Sequence, residues 1–546
     1  MSGRRVVWYI IFSVIVMKQI LVIRLGAIGD VVLTSPTILN LKLSWPRAKI
    51  TLLTRSHLAG LASMFTGVDE VLEFPPHASF NDLYLMGEYL DKMGFDLVVD
   101  LHGNFRSWYL SKHIAAGVKV KYPKRRFERW AAVKFKRINP NPPHTIDMYN
   151  QAVLDAGGKI YARRPVIPQR PGDQIDFDFG EALPTVAIAP GASYPDKQWP
   201  PERFRQLALE IIEQIPANVV LLLADIDERM ESLRDEIPRD KLRVFVNADL
   251  DRLPKIIAGA DLLICNDSAL AHIGSAVGTP VMALFGPTHP TFGFAPRGLR
   301  DCIMQVDEPC RPCSLHGQRT CYRDQQYCFE RIGVNDVLNK AAEKIKSNDK
   351  GCGAIFLDRD GTLIKEKGYL DDPAQVEPER GAVEAVRAAR DADYKIIVLT
   401  NQSGVARGYY DEDTVRRVNE KVSDVFASQK APIDDILYCP HYIKGTVTEY
   451  AVACDCRKPA PGMLEEACLR HNINPALSAI IGDKLSDVNL ASVSGGRGIL
   501  VRTGFGRQEE KLLQNRYLIG PETVAENIQD AVKYLLGGGG NGIDVD

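Results

Sequence analysis

The chain has 546 residues, 45% of them hydrophobic and 25% charged, with a formal net charge of -2 at pH 7. That length is too great for one hydrophobic core and asks for about three compact units, of ordinary soluble globular composition. The near-neutral balance excludes a general affinity for nucleic acid.

Arg4 and Arg5 precede an apolar run over 6–17, closed by Lys18. A membrane-spanning helix needs about 17–25 residues, so this run is too short, and no small-residue cleavage site makes it a secretory signal. Met17-Lys18 opens directly into an apolar strand, so residues 1–16 are expected to precede the native start. Apolar strands then alternate with amphipathic helices, which predicts α/β architecture with parallel sheets. Strands are expected at 20–24, 49–53 and 96–101, then at 185–189, 219–223, 261–265 and 280–285. After a linker at 347–352 they resume at 354–357, 395–399, 436–438, 479–481 and 498–501. A Pro-rich stretch at 163–172 marks a connection. The expected units are 17–170, 171–346 and 353–536, with a Gly-rich tail at 537–546.

In the first unit, Arg24-Leu25-Gly26-Ala27-Ile28-Gly29-Asp30 joins a strand to a helix start. GxxGD is not the dinucleotide fingerprint GxGxxG; it sets Asp30 at a cleft edge, as a base for an acceptor hydroxyl or as a helix N-cap. The stretch 119–137 carries nine Lys/Arg interleaved with Tyr122, Phe127, Trp130 and Phe135. That mixture suits an anionic, lipid-bearing acceptor at a membrane surface, or a solvated basic helix.

In the second unit, Ala189-Pro190-Gly191-Ala192-Ser193 and then Lys197 form a loop suited to a diphosphate. Asn266-Asp267-Ser268-Ala269, with His272 one turn later, opens a helix whose N-terminus attracts phosphate. Cys310, Cys313, Cys321 and Cys328 are spaced for a metal or for buried thiols. Clustered thiols rather than scattered ones point to a reducing cytosol.

The third unit carries the strongest pattern. Asp358-Arg359-Asp360-Gly361-Thr362 follows an apolar strand, and two carboxylates so spaced can divide nucleophilic attack from proton transfer. Thr400-Asn401-Gln402-Ser403 follows the next strand with donors for phosphate oxygens, and Arg457-Lys458 supplies cations. Gly482-Asp483-Lys484-Leu485-Ser486-Asp487 follows another strand with carboxylates for magnesium. Cys439-Pro440-His441 and Cys454-Asp455-Cys456 offer three thiolates and an imidazole, a closed structural zinc set.

The four phosphatase pieces resemble the motifs of the haloacid dehalogenase (HAD) phosphohydrolases. The cysteine clip, together with Lys367-Gly368-Tyr369-Leu370, resembles the D-glycero-D-manno-heptose 1,7-bisphosphate phosphatases in particular. That resemblance implies Asp358 as nucleophile and Asp360 as general acid/base, with Thr400 and Lys458 on the phosphoryl group. It also implies substrate contacts from Arg457, Tyr369 and Asn401 to Ser403. Magnesium would sit on Asp358, the Asp360 carbonyl and Asp483, and zinc on Cys439, His441, Cys454 and Cys456. Histidinol phosphate is the other substrate left open.

Residues 17–346 resemble the ADP-heptose:lipopolysaccharide heptosyltransferases, of the two-lobed GT-B fold. By that resemblance Asp30 is the catalytic base, and Ser193, Lys197, Asp267, Ser268, Ala269 and His272 form the donor site. The ribose ligand is left among Asp225, Asp227 and Glu228. A different glycosyltransferase or a non-catalytic binding module is the alternative for this half. The resemblances imply ADP-heptose, heptose bisphosphate and a lipopolysaccharide core acceptor as partners, in the cytoplasm or at the inner membrane surface.

Overall fold

The computed structural model describes residues 17–139, 141–170, 172–318 and 320–537. The apolar run and most of the Gly-rich tail lie outside them. The chain folds into three parallel sheets flanked by helices. The first has the order β3-β2-β1-β4-β5: β1 Gln19–Ile23, β2 Lys49–Arg55, β3 Glu70–Phe74, β4 Leu97–Asp100 and β5 Val118–Lys121. The second runs β11-β10-β9-β6-β7-β8: β6 Thr185–Ala189, β7 Asn218–Leu223, β8 Leu242–Val246, β9 Leu262–Asn266, β10 Val281–Leu284 and β11 Cys302–Met304. The third runs β14-β13-β12-β15-β16-β17: β12 Ala354–Leu357, β13 Lys395–Asn401, β14 Asp435–Cys439, β15 Ala479–Gly482, β16 Arg497–Val501 and β17 Thr523–Ala525.

The central strands are continuous apolar runs because helices cover both of their faces. β6, β9 and β12 are buried at every residue. The sequence reading missed β3, β5, β8, β11 and β17. All five are edge strands and only partly buried; β5 alternates half-buried valines with exposed lysines. An edge strand lacks the long apolar run that marks a buried one.

Each sheet has the same topological property. Its first strand in the chain lies inside the sheet, and the connections leave it in opposite directions. The resulting switch points, where helices diverge, open crevices at the carboxyl ends of β1/β4, β6/β9 and β12/β15.

Close contacts join the parts of the chain. The short helix Ile28–Val32, after β1, packs on the Ala269–Val277 helix, after β9. A Cβ on Gly29 would fall 2.8 Å from His272 Cδ2 and 3.3 Å from Ala269 Cα, so only glycine permits this approach. The third sheet's layer is held to the connection before β6 by Arg164–Glu465 at 2.8 Å and to the second sheet's layer by an Asn474 amide donating to the Gly278 carbonyl at 3.0 Å. The 347–352 stretch, expected as a linker, is itself tied down. Lys344 pairs with Asp349 at 2.7 Å and Lys350 with Asp261 at 3.3 Å. Among the described residues no helix is long and apolar enough to cross a membrane.

Candidate active sites

At the β12/β15 crevice, Asp358 leaves the end of β12 with its N–H donating to the Ile481 carbonyl at 3.0 Å. Its carboxylate is buried and accepts from Lys458 Nζ at 2.7 Å. The same ammonium lies 2.6 Å from Asp487 and donates to the Leu399 carbonyl at 2.7 Å, which fixes it beneath the crevice. Carboxylate oxygens of Asp358, Asp483 and Asp487 lie within 4.8 Å of one another, all three residues buried. Asp487 Oδ2 has no hydrogen-bond partner among the described residues. Three buried carboxylates facing two lysines, Lys458 and Lys484, which lies 3.3 Å from Asp483, leave an excess of negative charge, the condition a divalent cation relieves. The Gly482–Asp487 motif offers both carboxylates for magnesium, the resemblance implies Asp483 alone, and the structure brings Asp487, one helical turn on, into the same cluster.

The titration pattern follows from that crowding. Burial works against ionisation of Asp358, but the ammonium groups of Lys458 and Lys484 outweigh it and hold the carboxyl below its ordinary range. Burial, and then the negative charge of Asp358, push Asp483 up to about 7. Asp487 rises to about 6, with burial again the largest cause. Asp358 is therefore the first of the three to ionise, and Asp487 and Asp483 follow as pH approaches neutrality.

Asp360 points elsewhere. Its carboxylate pairs with Arg359 at 2.9 Å and accepts from Gln402 Nε2 at 2.9 Å. Gln402 also donates to Thr400 Oγ1 at 2.7 Å and is held by the Tyr410 hydroxyl at 2.8 Å. Asn401 receives the Lys458 N–H at 3.1 Å, so the two phosphate-side loops are bonded to each other. Gly361, at φ +81°, has no room for a side chain: a Cβ would lie 2.4 Å from Asp483 Oδ2. Above these groups opens a cavity of 350 Å³, whose lining includes Asp358, Asp360, Tyr369, Ser403, Arg457 and Lys458. Lys484, Tyr410 and Phe505 also line it and were not foreseen.

Beside the cavity, Cys439 at the end of β14 meets His441, Cys454 and Cys456, with ligand atoms within 4.8 Å of one another. The sulfur–sulfur distances are 3.0, 3.2 and 3.6 Å, and His441 Nδ1 lies 3.3 Å from Cys456 Sγ. Thiolates at about 2.3 Å from a tetrahedral zinc stand about 3.8 Å apart, so the set needs only slight expansion to hold one. Arg457, next in the chain, donates to the His441 carbonyl at 3.1 Å, which couples the clip to the cavity wall.

The other crevice is shared by the first two sheets. Asp30 lies inside the first helical turn, and Ala27 is the N-cap, so the capping alternative for Asp30 fails. Its carboxylate forms an ion pair with buried Arg24 and accepts from the Tyr149 hydroxyl at 3.4 Å. Burial disfavours charge on Arg24, but Asp30 beside it keeps the guanidinium protonated. His102 stands nearby, driven down to about 3 by burial and then by Arg24.

Across from Asp30, Ser268 caps the Ala269–Val277 helix in position but not by bonding. Its hydroxyl is buried without a partner among the described residues, as is His272 Nδ1. Burial lowers the His272 pKa and keeps the ring neutral. Lys197 lies 2.8 Å from Asp267, which also accepts from Thr288 at 2.7 Å; Ser193 stands exposed on the Lys197 loop. Asn266 ties the two donor-side loops by donating to the Pro190 carbonyl at 2.6 Å and accepting the Trp199 N–H at 2.9 Å. Asp225, Asp227 and Glu228 share a 590 Å³ cavity with Gly191 at the ends of β6 and β7. Of Cys310, Cys313, Cys321 and Cys328, none belongs to a metal-binding group among the described residues. Their loop instead lays Gly317 directly on Lys197.

Comparison with known proteins assigns these regions. A Pasteurella multocida (strain Pm70) protein named D-glycero-beta-D-manno-heptose-1,7-bisphosphate 7-phosphatase is 38% identical over 190 residues, 34% of this chain and 97% of the relative. The chain belongs to that phosphatase family. An Escherichia coli (strain K12) heptose bisphosphate phosphatase of the same name is 40% identical over 156 residues, 28% of this chain and 82% of its own. The HAD-hydrolase-like model matches 455–531 and the polynucleotide kinase 3 phosphatase model 354–487, so the heptose bisphosphate phosphatase likeness falls on the third sheet. The model for glycosyltransferase family 9 (heptosyltransferase) matches 84–322. The solved E. coli ADP-heptose LPS heptosyltransferase II is 18% identical, covering 61% of this chain and 99% of its own, with a TM-score of 0.48.

Proposed function

We propose that this chain is a bifunctional enzyme of lipopolysaccharide-core assembly. Its third sheet would remove the 7-phosphate of D-glycero-D-manno-heptose 1,7-bisphosphate, and its first two sheets would transfer heptose from ADP-heptose to a lipid-borne core acceptor. The observation that carries the first activity is the convergence of Asp358, Lys458, Asp483 and Asp487 at one crevice, in a chain whose phosphatase relatives are 38–40% identical.

In this reading an Asp358 oxygen attacks phosphorus and the bond from phosphorus to the sugar oxygen breaks. Asp360 gives that leaving oxygen its proton, then takes one from the water that attacks the aspartyl-phosphate. Free phosphate and the Asp358 carboxylate result. Lys458 and the Thr400 hydroxyl hold the equatorial oxygens, while Asn401 and Arg457 orient the rest of the substrate. Asp358, Asp483 and the Asp360 carbonyl would hold magnesium, with Asp487 added to the set, and the ion supplies neutralisation of phosphoryl charge. Zinc on Cys439, His441, Cys454 and Cys456 would be structural, because four protein ligands leave no place for water.

In the transferase, Asp30 would take the proton of an acceptor hydroxyl as that oxygen displaces the nucleotide diphosphate from the anomeric carbon. Lys197, Ser268, the N–H of Ala269 and His272 would receive the departing diphosphate, with Ser193 and Asp267 bordering it. The unbonded Ser268 hydroxyl and His272 Nδ1 support this, since buried polar groups are otherwise costly.

A phosphate-release screen tests the phosphatase: both anomers of heptose 1,7-bisphosphate against histidinol phosphate, with mass spectrometry of the quenched enzyme. The expected result is turnover of a heptose bisphosphate and a phosphoryl group on Asp358. Preference for histidinol phosphate, or label on another residue, would refute it.

A further inference from the structure

The Ala269–Val277 helix, whose N-terminus faces the Asp30 crevice, is gripped at both ends by other parts of the chain. Its nine residues span about 13 Å. At its first turn Gly29 of the first unit lies against Ala269 and His272. At its far end Gly278 is the C-cap, at φ +80°. A Cβ there would fall 2.8 Å from Ala476 Cβ and 2.9 Å from Asn474 Oδ1, both in the third unit. Between the two ends the helix rests directly on the second sheet, since a Cβ on Gly274 would fall 2.6 Å from Val281 on β10.

An α-helix ends on carbonyls that have no partner within the helix, and burial makes an unmet one costly. The Gly274 carbonyl is closed locally, by the N–H groups of Gly278 and Thr279. The next two partners come from elsewhere in the chain. The Ala276 carbonyl accepts from the Ile167 N–H at 2.8 Å, in the connection before β6. The Gly278 carbonyl accepts from Asn474 Nδ2 at 3.0 Å.

Asn474 is 4% exposed, and both ends of its amide are used. Its Oδ1 accepts the Ala476 N–H at 3.0 Å and caps the short turn Pro475–Leu477, which leads into β15. Its backbone is fixed as well. The N–H donates to the Cys352 carbonyl at 2.9 Å, and the carbonyl accepts from Ser478 Oγ at 2.7 Å. Arg300 of the second unit donates to the Ile473 carbonyl just before it, at 3.2 Å. The third unit thus holds a rigid N–H donor against the negative end of the helix dipole. Nothing in the phosphatase chemistry calls for that N–H. The Oδ1 cap alone serves the entry to β15, and Asp483 lies beyond the strand's opposite end.

We propose that Asn474, in the phosphatase unit, is a positioning residue of the transferase: it completes the C-terminal end of the helix whose N-terminus receives the donor diphosphate. This role rests on the transferase reading, which supplies the diphosphate. A helix freed at its far end would shift Ser268 and His272 against a ligand that needs them in register.

Asn474→Asp isolates the contact in the full chain. It keeps the oxygen that accepts from Ala476, removes the N–H given to Gly278 and sets a negative charge at the negative end of the helix. Titration calorimetry with ADP is expected to show binding about tenfold weaker. KM for ADP-heptose should rise by a like factor, with kcat nearly unchanged. Amide hydrogen exchange should quicken in the Ala269–Val277 helix and hold in β12 and β13, which proves the fold. If the Asp variant does not fold, Asn474→Ser carries the same expectation, because serine also caps turns but is too short to reach Gly278. Unchanged exchange in the helix, or faster exchange with ADP affinity intact, would overturn the proposal, as would an equal loss of protection in β12 and β13. An unaltered protein that binds no ADP, with exchange in the helix still quickened by the substitution, would uphold the brace and count against the transferase reading alone.

Discussion

The phosphatase crevice and the transferase crevice sit at the same kind of topological switch point, but they are assembled differently. Everything at the β12/β15 site hangs from one sheet, and the groups that crowd it also compensate one another. Lys458 bridges two carboxylates and reaches the Leu399 carbonyl beneath them. The Asp30 site is divided between two sheets that touch through Gly29 and the Ala269–Val277 helix. A site on one sheet is preorganised as soon as that sheet folds. A site on two sheets depends on how they close.

Breaking each site at its key contact should sharpen that contrast. Lys458→Met removes the cation between Asp358 and Asp487, so phosphate release should fall at least about a thousandfold and stability by about 3–5 kcal/mol. Transfer should survive in whatever fraction stays folded. Steady-state assays alongside denaturant melts read both effects, and a fully active variant would contradict the site's construction.

Gly29→Val attacks the other site by pushing on His272 and Ala269. Transfer is expected to drop about a hundredfold from a small misplacement of the two lobes, with phosphatase turnover intact. An unchanged transfer rate would show that the halves need not approach so closely.

Metal binding should be pH-dependent. Asp483 and Asp487, raised to about 7 and about 6, hold protons below those values and must release them to bind magnesium. Since their folded pKa values exceed the unfolded ones, the magnesium-free protein loses stability as pH rises from the ordinary carboxylate range to about 7. Added magnesium should therefore raise the melting temperature more at pH 8 than at pH 5.5. The reverse order would discard the three-carboxylate assignment.

A smaller effect is expected from Cys456→Ser at the clip. It should lower the melting temperature by several degrees and raise KM more than it lowers kcat, because Arg457 is positioned by the His441 carbonyl. Loss of kcat alone would mean that the clip acts on chemistry rather than on substrate placement.

The same contrast explains what the sequence disclosed. In the phosphatase, each functional group stands within a few residues of a buried strand end, so Asp358, Thr400, Lys458 and Asp483 can be read from short motifs. Asp487 was visible too, one turn along its helix, but a motif does not say which of its carboxylates turns inward. In the transferase, Tyr149 hydrogen-bonds Asp30 and His102 stands near it, each from a stretch remote from the Arg24–Asp30 motif. No local spacing announces that convergence. β3, β5, β8, β11 and β17 were hidden because half-buried residues leave no continuous apolar run, and the 347–352 stretch is fastened at Lys350 by an ion pair to Asp261, distant in sequence.

The independence of two centres in one folded chain is tested most directly by a paired assay of Asp358→Asn and Asp30→Ala, each measured for phosphate release and for heptose transfer. The first variant should lose release and keep transfer, and the second should do the opposite. A folded variant that loses both, or an Asp358→Asn protein that still releases phosphate, would contradict the account.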